Sequence, residues 1–292
     1  MALYTLRSAA LTVTVDSFGA QLQSIRSADG TEYLWQGDPA YWEDRAPNIF
    51  PYVARLTEGR YQLDGQIYEM AIHGFACRSE FSVEERSETA LTLLLRDSAE
   101  TYRQYPRRFA FRVCYALEGN RLSVTYRVEN RDAAMLYFGL GGHPGFRVPL
   151  AEGQRFEDYA LRFSRPCQPV RIGFTPECFV SGDDTPYPLS DGRTLPLAHT
   201  LFNDDAIVLR DTSREVTLLS GGEDHGVTVA CPDMPYLGIW HRPRTDAPYV
   251  CIEPWCSLPA RHGKLTVFEE QADLLRLAPG GVYENTWSIT AF

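Results

Sequence analysis

Six histidines, at 73, 143, 199, 225, 241 and 262, are the side chains of this sequence best suited to move a proton near neutral pH. His143 stands in LGGHPGFRVP, where three glycines and two prolines crowd ten residues. Such a stretch cannot be a helix interior and is a poor central strand. The frame predicts an imidazole held stiffly at a small-molecule site, as a proton donor. His73 stands in AIHGFA and shares the pattern of a histidine, a small residue and a nearby phenylalanine. Each follows a β-like run, which places it near a strand end, where loops build sites. A histidine satisfied by backbone in a tight turn accounts for either frame as well.

A partner for the proton lies more than a hundred residues further on, in PYVCIEPWCSLP at 248–259. As a strand, this run puts Tyr249, Cys251 and Glu253 on one face and Val250 and Ile252 on the other. Glu253 then ends an apolar strand, capped by Pro254 and Trp255. A carboxyl in apolar, aromatic surroundings has its pKa raised and becomes a usable general base. The competing reading is a rim carboxylate paired to an arginine. Arg55, in APNIFPYVARLTEGRY, follows an apolar run broken by Pro51 and suits either a ligand oxygen or a surface ion pair. Asp204 and Asp205 precede a short apolar strand in LFNDDAIVLRD, a place where an Asx turn is the ordinary role.

The elements that must hold these groups read as strands. Period-two runs appear at 11–16, 91–97, 109–117, 121–130 and 215–220, rich in β-branched and aromatic residues and separated by Gly, Asp, Asn or Pro. Glu118-Gly119-Asn120 and Asp64-Gly65 are hairpin signals, and GGVYENTWSITAF closes the chain with another alternating strand. SGGEDHGV at 220–227 reads as a glycine-rich turn. Helical periodicity is confined to short turns around 38–45 and 156–161. Without long helices between strands a parallel α/β sheet is not expected. The expectation is an all-β fold, one large antiparallel β-sandwich, with residues 1–292 forming a single domain.

Composition narrows the function classes. The chain has 292 residues, 44% of them hydrophobic and 23% charged, which is ordinary for a globular protein. Its formal net charge of -10, without a basic stripe, argues against nucleic acid as a partner. Seven cysteines show no paired framework, so reduced thiols and a cytoplasmic location are expected. The start of the chain lacks the pattern of a signal peptide, and no apolar run approaches the roughly 18 residues that span a bilayer. Cys251 and Cys256 are not at zinc-ligand spacing, and no second Cys/His pair completes a site, so no metal is expected. P-loop, GxGxxG and GxSxG patterns are missing, which removes nucleotide-dependent and serine-hydrolase chemistry.

Taken in order, GAQLQSI, YLWQGDPAYWEDRAPNIFPYVARL, IHGFA, GGHPGF, LGIWHRP, YVCIEPW and LAPGGVYENTWSI resemble the aldose 1-epimerase (galactose mutarotase) family, in its bacterial mutarotase-like branch, along essentially the whole chain. The resemblance implies a galactose mutarotase-like supersandwich that acts on a sugar without a cofactor, as a monomer or homodimer. It implies Glu253 as the base for the anomeric hydroxyl and His143 as the acid for the ring oxygen. Arg55 and His73 would bind the sugar, Asp205 (or its neighbour Asp204) would hold sugar hydroxyls, and Trp240 would offer a flat face, unless it is a core residue. A relative of the same fold, a hexose-6-phosphate 1-epimerase, would need arginines for the phosphate, with Arg78 and Arg147 as candidates. A carbohydrate-binding or sensor protein that lost the chemistry is the reading from another class.

Overall fold

The alternating runs do become strands. The computed structural model describes residues 2–221 and 225–292, so residues 222–224 of the glycine-rich turn expected at 220–227 lie outside the described residues. Leu11–Asp16, Ala90–Arg96, Phe109–Glu118, Arg121–Asn130, Glu215–Ser220 and Val282–Ala291 are strands, within two residues of the runs read from the sequence. The hairpin at Asp64-Gly65 joins Arg60–Leu63 to Gln66–Glu69, with φ of 49° and 74° at its two central residues. Both angles are positive, as the turn that matches strand twist requires.

Two large antiparallel sheets dominate the described residues. A nine-stranded sheet has the central order Val282–Ala291, Arg121–Asn130, Phe109–Glu118 and Ala90–Arg96. An eight-stranded sheet carries Ile207–Arg210, Tyr236–Trp240, Tyr249–Trp255, Gly141–Gly142 and Asn48–Ile49 in that order, with Gly145–Arg147 also paired to Tyr249–Trp255. One apolar cluster takes residues from both sheets, among them Phe111, Val124 and Trp287 from the first and Val250, Ile252 and Ile239 from the second. The sheets are therefore packed face to face. Strand Arg121–Asn130 alternates buried and less buried residues along its length, as expected of a strand with one face on the core. Strand Tyr249–Trp255 is buried at every position. Its inner face meets the core, and its outer face is covered by loops and two smaller apolar clusters, around Tyr249 and Cys251 and around Trp255 and Ile49. A continuous apolar run is the sequence pattern of a strand covered on both faces.

Two expectations need correction, and a third is met in shortened form. Pro254 does not end the strand, which runs on to Trp255 and pairs Pro254 with Leu237. The neighbouring N–H groups on that edge, of Ile252 and Cys256, donate to Pro144 and Leu140. Pro254 falls between them, where the adjacent chain bends around His143, so its missing N–H breaks no ladder bond. The helical turn expected at 38–45 is a single turn in which Tyr41 and Trp42 N–H donate to the Asp38 carbonyl. The α-helix among the described residues, Ala99–Gln104, went unread. Ser98 caps it, its side chain accepting from Thr101 N–H while Thr101 Oγ1 accepts from Ser98 N–H.

Candidate active site

Register brings the two distant chemical groups together. Gly141 pairs with Trp255 and Gly145 with Cys251, both against the same strand and in one register. Carrying that register across the bend puts His143 opposite Glu253, with both side chains on the outer face of the sheet. His143 Nε2 lies 3.2 Å from Glu253 Oε2, with the histidine side chain 10% and the glutamate side chain 1% exposed. The glycines beside His143 have a packing cause. A Cβ on Gly142 would stand 2.5 Å from the Trp287 ring, and one on Gly145 would stand 3.0 Å from the Trp42 ring. The backbone below is anchored by Asn48, whose Nδ2 donates to the Gly19 and Ala20 carbonyls at 3.0 and 2.8 Å and whose Oδ1 accepts from Tyr126 at 2.8 Å.

His143 is walled by rings: Trp42 at 5.0 Å between centroids, His73 at 5.2 Å and Trp240 at 5.7 Å. Burial drives both members of the pair toward their neutral forms. Burial, and then the Asp205 charge, push the Glu253 carboxyl well up from its ordinary value. Burial, and then His73, push the His143 imidazole well down. Among the described residues, buried His143 Nδ1 and Glu253 Oε2 have no aligned hydrogen-bond partner, so each retains a free bonding direction.

His73 is fixed by a reciprocal tie. Its backbone N–H donates to the Ala54 carbonyl at 3.0 Å, and Ala54 N–H donates to His73 Nδ1 at 3.3 Å. Accepting at Nδ1 leaves the proton of the neutral ring on Nε2. Burial, then the charges of Arg55 and Arg78, lower its pKa to about 4, so at neutral pH it is an uncharged donor. His73 takes a left-handed φ of 64°, and Gly74 follows at 73° against the Phe50 carbonyl, which is why glycine stands there.

These groups share one cavity of about 250 Å³. Arg55, His73, His143, Asp204, Asp205, Trp240 and Glu253, all singled out from sequence, line it. Arg78 lines it as well, whereas Arg147 is exposed and outside that lining. Position along the ladder explains this, because Arg147 shares the outer face but pairs with Tyr249, four residues beyond the level of His143 and Glu253. Trp240 belongs to the wall and not to the main core, standing edge-on to Trp42 at 5.6 Å. Trp42, Asp44, Phe174 and Cys178 line the cavity too and were not anticipated. Trp42 and Asp44 sit in YWEDR, where the pattern of a short helical turn carries no mark of a site. Beneath the pair, Cys251, His143 and Glu253 bring ligating atoms within 4.8 Å of one another. A search of cysteine spacing alone could not find this group. Burial, then Glu253, push the Cys251 thiol well up from its ordinary value, and a protonated thiol is a poor metal ligand.

The arrangement can therefore take a proton at one oxygen of a small polar molecule and give one at a neighbouring oxygen, with neutral and cationic donors around it. Comparison with known proteins agrees in fold and family. The chain is 34% identical over 304 residues to the protein LacX of Lactococcus lactis subsp. lactis, covering 98% of each chain. It superposes on a galactose mutarotase related enzyme from Lactobacillus acidophilus with a TM-score of 0.93 and 33% identity, covering 100% of this chain and 97% of that one. A galactose mutarotase-like protein from Lactobacillus casei gives a TM-score of 0.93 at 32% identity, with 100% of both chains covered. The sequence profile described as aldose 1-epimerase matches residues 2–290, and the chain belongs to the aldose 1-epimerase family.

Proposed function

We propose that this protein is a mutarotase, an isomerase that interconverts the α and β anomers of an aldose without a cofactor. The observation that carries the reading is the buried His143–Glu253 pair, 3.2 Å apart, facing a cavity of sugar size. The two oxygens that must exchange protons in a cyclic sugar are bonded to the same anomeric carbon, so an acid and a base side by side can serve both.

The reaction balances within the pair. In the reactive arrangement the pair holds one proton, on His143. Glu253 takes the proton of the anomeric hydroxyl while His143 gives its proton to the ring oxygen. The bond between C1 and the ring oxygen breaks, and an open-chain aldehyde forms. Glu253 is then protonated and His143 neutral, the state that burial favours for both. The aldehyde turns about its bond to C2. Ring closure on the other face returns one proton to His143, and Glu253 hands the other to the new anomeric oxygen. No proton is consumed.

His73 donates from Nε2 and Arg55 from its guanidinium to oxygens on which charge develops. Asp205 accepts from sugar hydroxyls, and Trp240 lays a ring against the sugar. A second reading, for a phosphorylated aldose, is favoured by one observation: the Arg55 and Arg78 side chains both line the cavity and form no ion pair with a described residue. Two open guanidiniums suit a phosphate. Polarimetry of freshly dissolved free and 6-phosphorylated aldoses tests the readings together. Acceleration over the spontaneous rate is expected, and the preferred substrate decides between them. Sugar binding without acceleration would leave a carbohydrate-binding protein and end the enzyme reading.

A further inference from the structure

We propose that Cys178 is a positioning residue for Asp205, its thiol donating a hydrogen bond that aims the carboxylate at the sugar hydroxyls. The proposal rests on the mutarotase reading for the identity of the ligand but not for the tie itself. Asp205 is gripped at both oxygens. Ala206 N–H donates to Oδ1 at 2.8 Å, and the Cys178 thiol donates to Oδ2 at 3.1 Å. A thiol facing a carboxylate can only donate, and donation to a charged acceptor is the stronger kind of hydrogen bond. Each carboxylate oxygen keeps a second lone pair for a substrate hydroxyl. Asp204, the adjacent alternative, also lines the cavity but is exposed, and its side chain makes no such bonds with the described residues.

The backbone supports a purposeful contact. Cys178 and Asp205 take left-handed φ of 66° and 78°, unusual for residues other than glycine, and both line the cavity. Strain of this kind persists only where surroundings enforce it. Here Cys178 N–H donates to the Thr175 carbonyl and Asp205 N–H to the Phe202 carbonyl, so each turn is closed on itself before the two side chains meet. The contact also reaches the acid–base pair, because the Asp205 charge is one of the causes that raise the Glu253 pKa. Burial and the Asp205 charge in turn push the Cys178 thiol up to about 12, which keeps its proton in place for donation.

Cys178→Ala, Cys178→Ser and Asp205→Asn provide the test. Cys178→Ala should raise KM for the aldose about tenfold, the usual worth of a hydrogen bond to a charged group, with kcat within about twofold. Cys178→Ser, which keeps a donor, should recover most of the loss. An unchanged KM in Cys178→Ala, or equal losses in the serine and alanine variants, would overturn the assignment. Iodoacetamide labelling of Cys178, followed by peptide mass spectrometry at pH 8, reads the tie without any activity. It should be slow in the unmodified protein and about tenfold faster in Asp205→Asn, where the thiol ionises more readily. An unchanged labelling rate overturns the tie. If the unmodified protein fails to accelerate mutarotation, the proposed function falls, and calorimetric sugar affinity takes the place of KM in the same comparison.

Discussion

His143 lies in the bend between Gly141–Gly142 and Gly145–Arg147, which both pair with Tyr249–Trp255, and its Nε2 is 3.2 Å from Glu253 Oε2. A cross-strand neighbour cannot drift far without breaking the pairing on either side of it. The acid–base distance is thus set by the paired segments on either side of the bend and by the His143 N–H bond to the Pro47 carbonyl. A rigid element of this kind holds a proton-transfer pair in position before substrate arrives, which spares the reaction that ordering cost.

The first prediction removes proton transfer and keeps shape. Glu253→Gln and His143→Asn should each lower kcat by about 10²–10⁴-fold, the contribution of one positioned acid or base. Calorimetric sugar affinity should stay near that of the unmodified protein, because the lost interaction belongs to the transition state. Arg55→Ala should weaken binding as well. Mutarotation at the original rate in folded Glu253→Gln would rule the pair out.

Activity should follow a bell in pH that reports the pair. At low pH the pair gains a second proton and has no base. Burial lowers His143, so this limb lies below the ordinary imidazole value. At high pH the pair loses its proton and has no acid. Burial and Asp205 raise Glu253, so that limb lies above the ordinary carboxyl value. Asp205→Asn removes the neighbouring charge and should move the alkaline limb to lower pH. A profile with neither limb, or an alkaline limb that stays in place in Asp205→Asn, contradicts the scheme.

Gly142→Ala tests how the imidazole is seated. The added methyl would stand 2.5 Å from the Trp287 ring, and neither the ladder nor the buried tryptophan has room to retreat. Overpacking should cost about 1–3 kcal/mol of stability by denaturant titration. Activity should fall as His143 shifts against Glu253. A variant with unchanged stability and rate would show that the frame tolerates movement.

His241 predicts an acid-labile fold. It is fully buried, with Nε2 3.1 Å from His199 Nδ1 and Nδ1 2.7 Å from the Arg242 carbonyl. Its pKa is lowered from 6.5 to about 4, chiefly by burial. A folded value below the unfolded one gives stability that is present above pH 6.5 and is lost as pH falls toward 4. The loss is on the order of 3 kcal/mol below that window. His241→Gln should flatten the decline of Tm through it; an unaltered slope would count against this source.

The expectation that residues 1–292 form one domain predicts a single cooperative unfolding transition, with calorimetric and van't Hoff enthalpies equal. Two resolved transitions would overturn it.

Much of this protein was legible along the chain because a strand carries its two faces in alternate residues. The alternation in YVCIEPW places Glu253 with Cys251 and Tyr249, and Val250 and Ile252 do enter the core while Tyr249 and Cys251 face outward. Asp64-Gly65 could be read as a turn because positive φ at both positions restricts the residue choice. Tertiary structure alone decided that positions 143 and 253 share a register, since pairing between segments a hundred residues apart leaves no local mark. It alone decided that Pro254 continues the strand, because only the neighbouring chain shows that no N–H is needed there. It also admitted Arg78 to the cavity and left Arg147 outside, and joined Cys178 to Asp205. The chemistry of each side chain is local, but which side chains meet depends on how the sheets and loops are stacked.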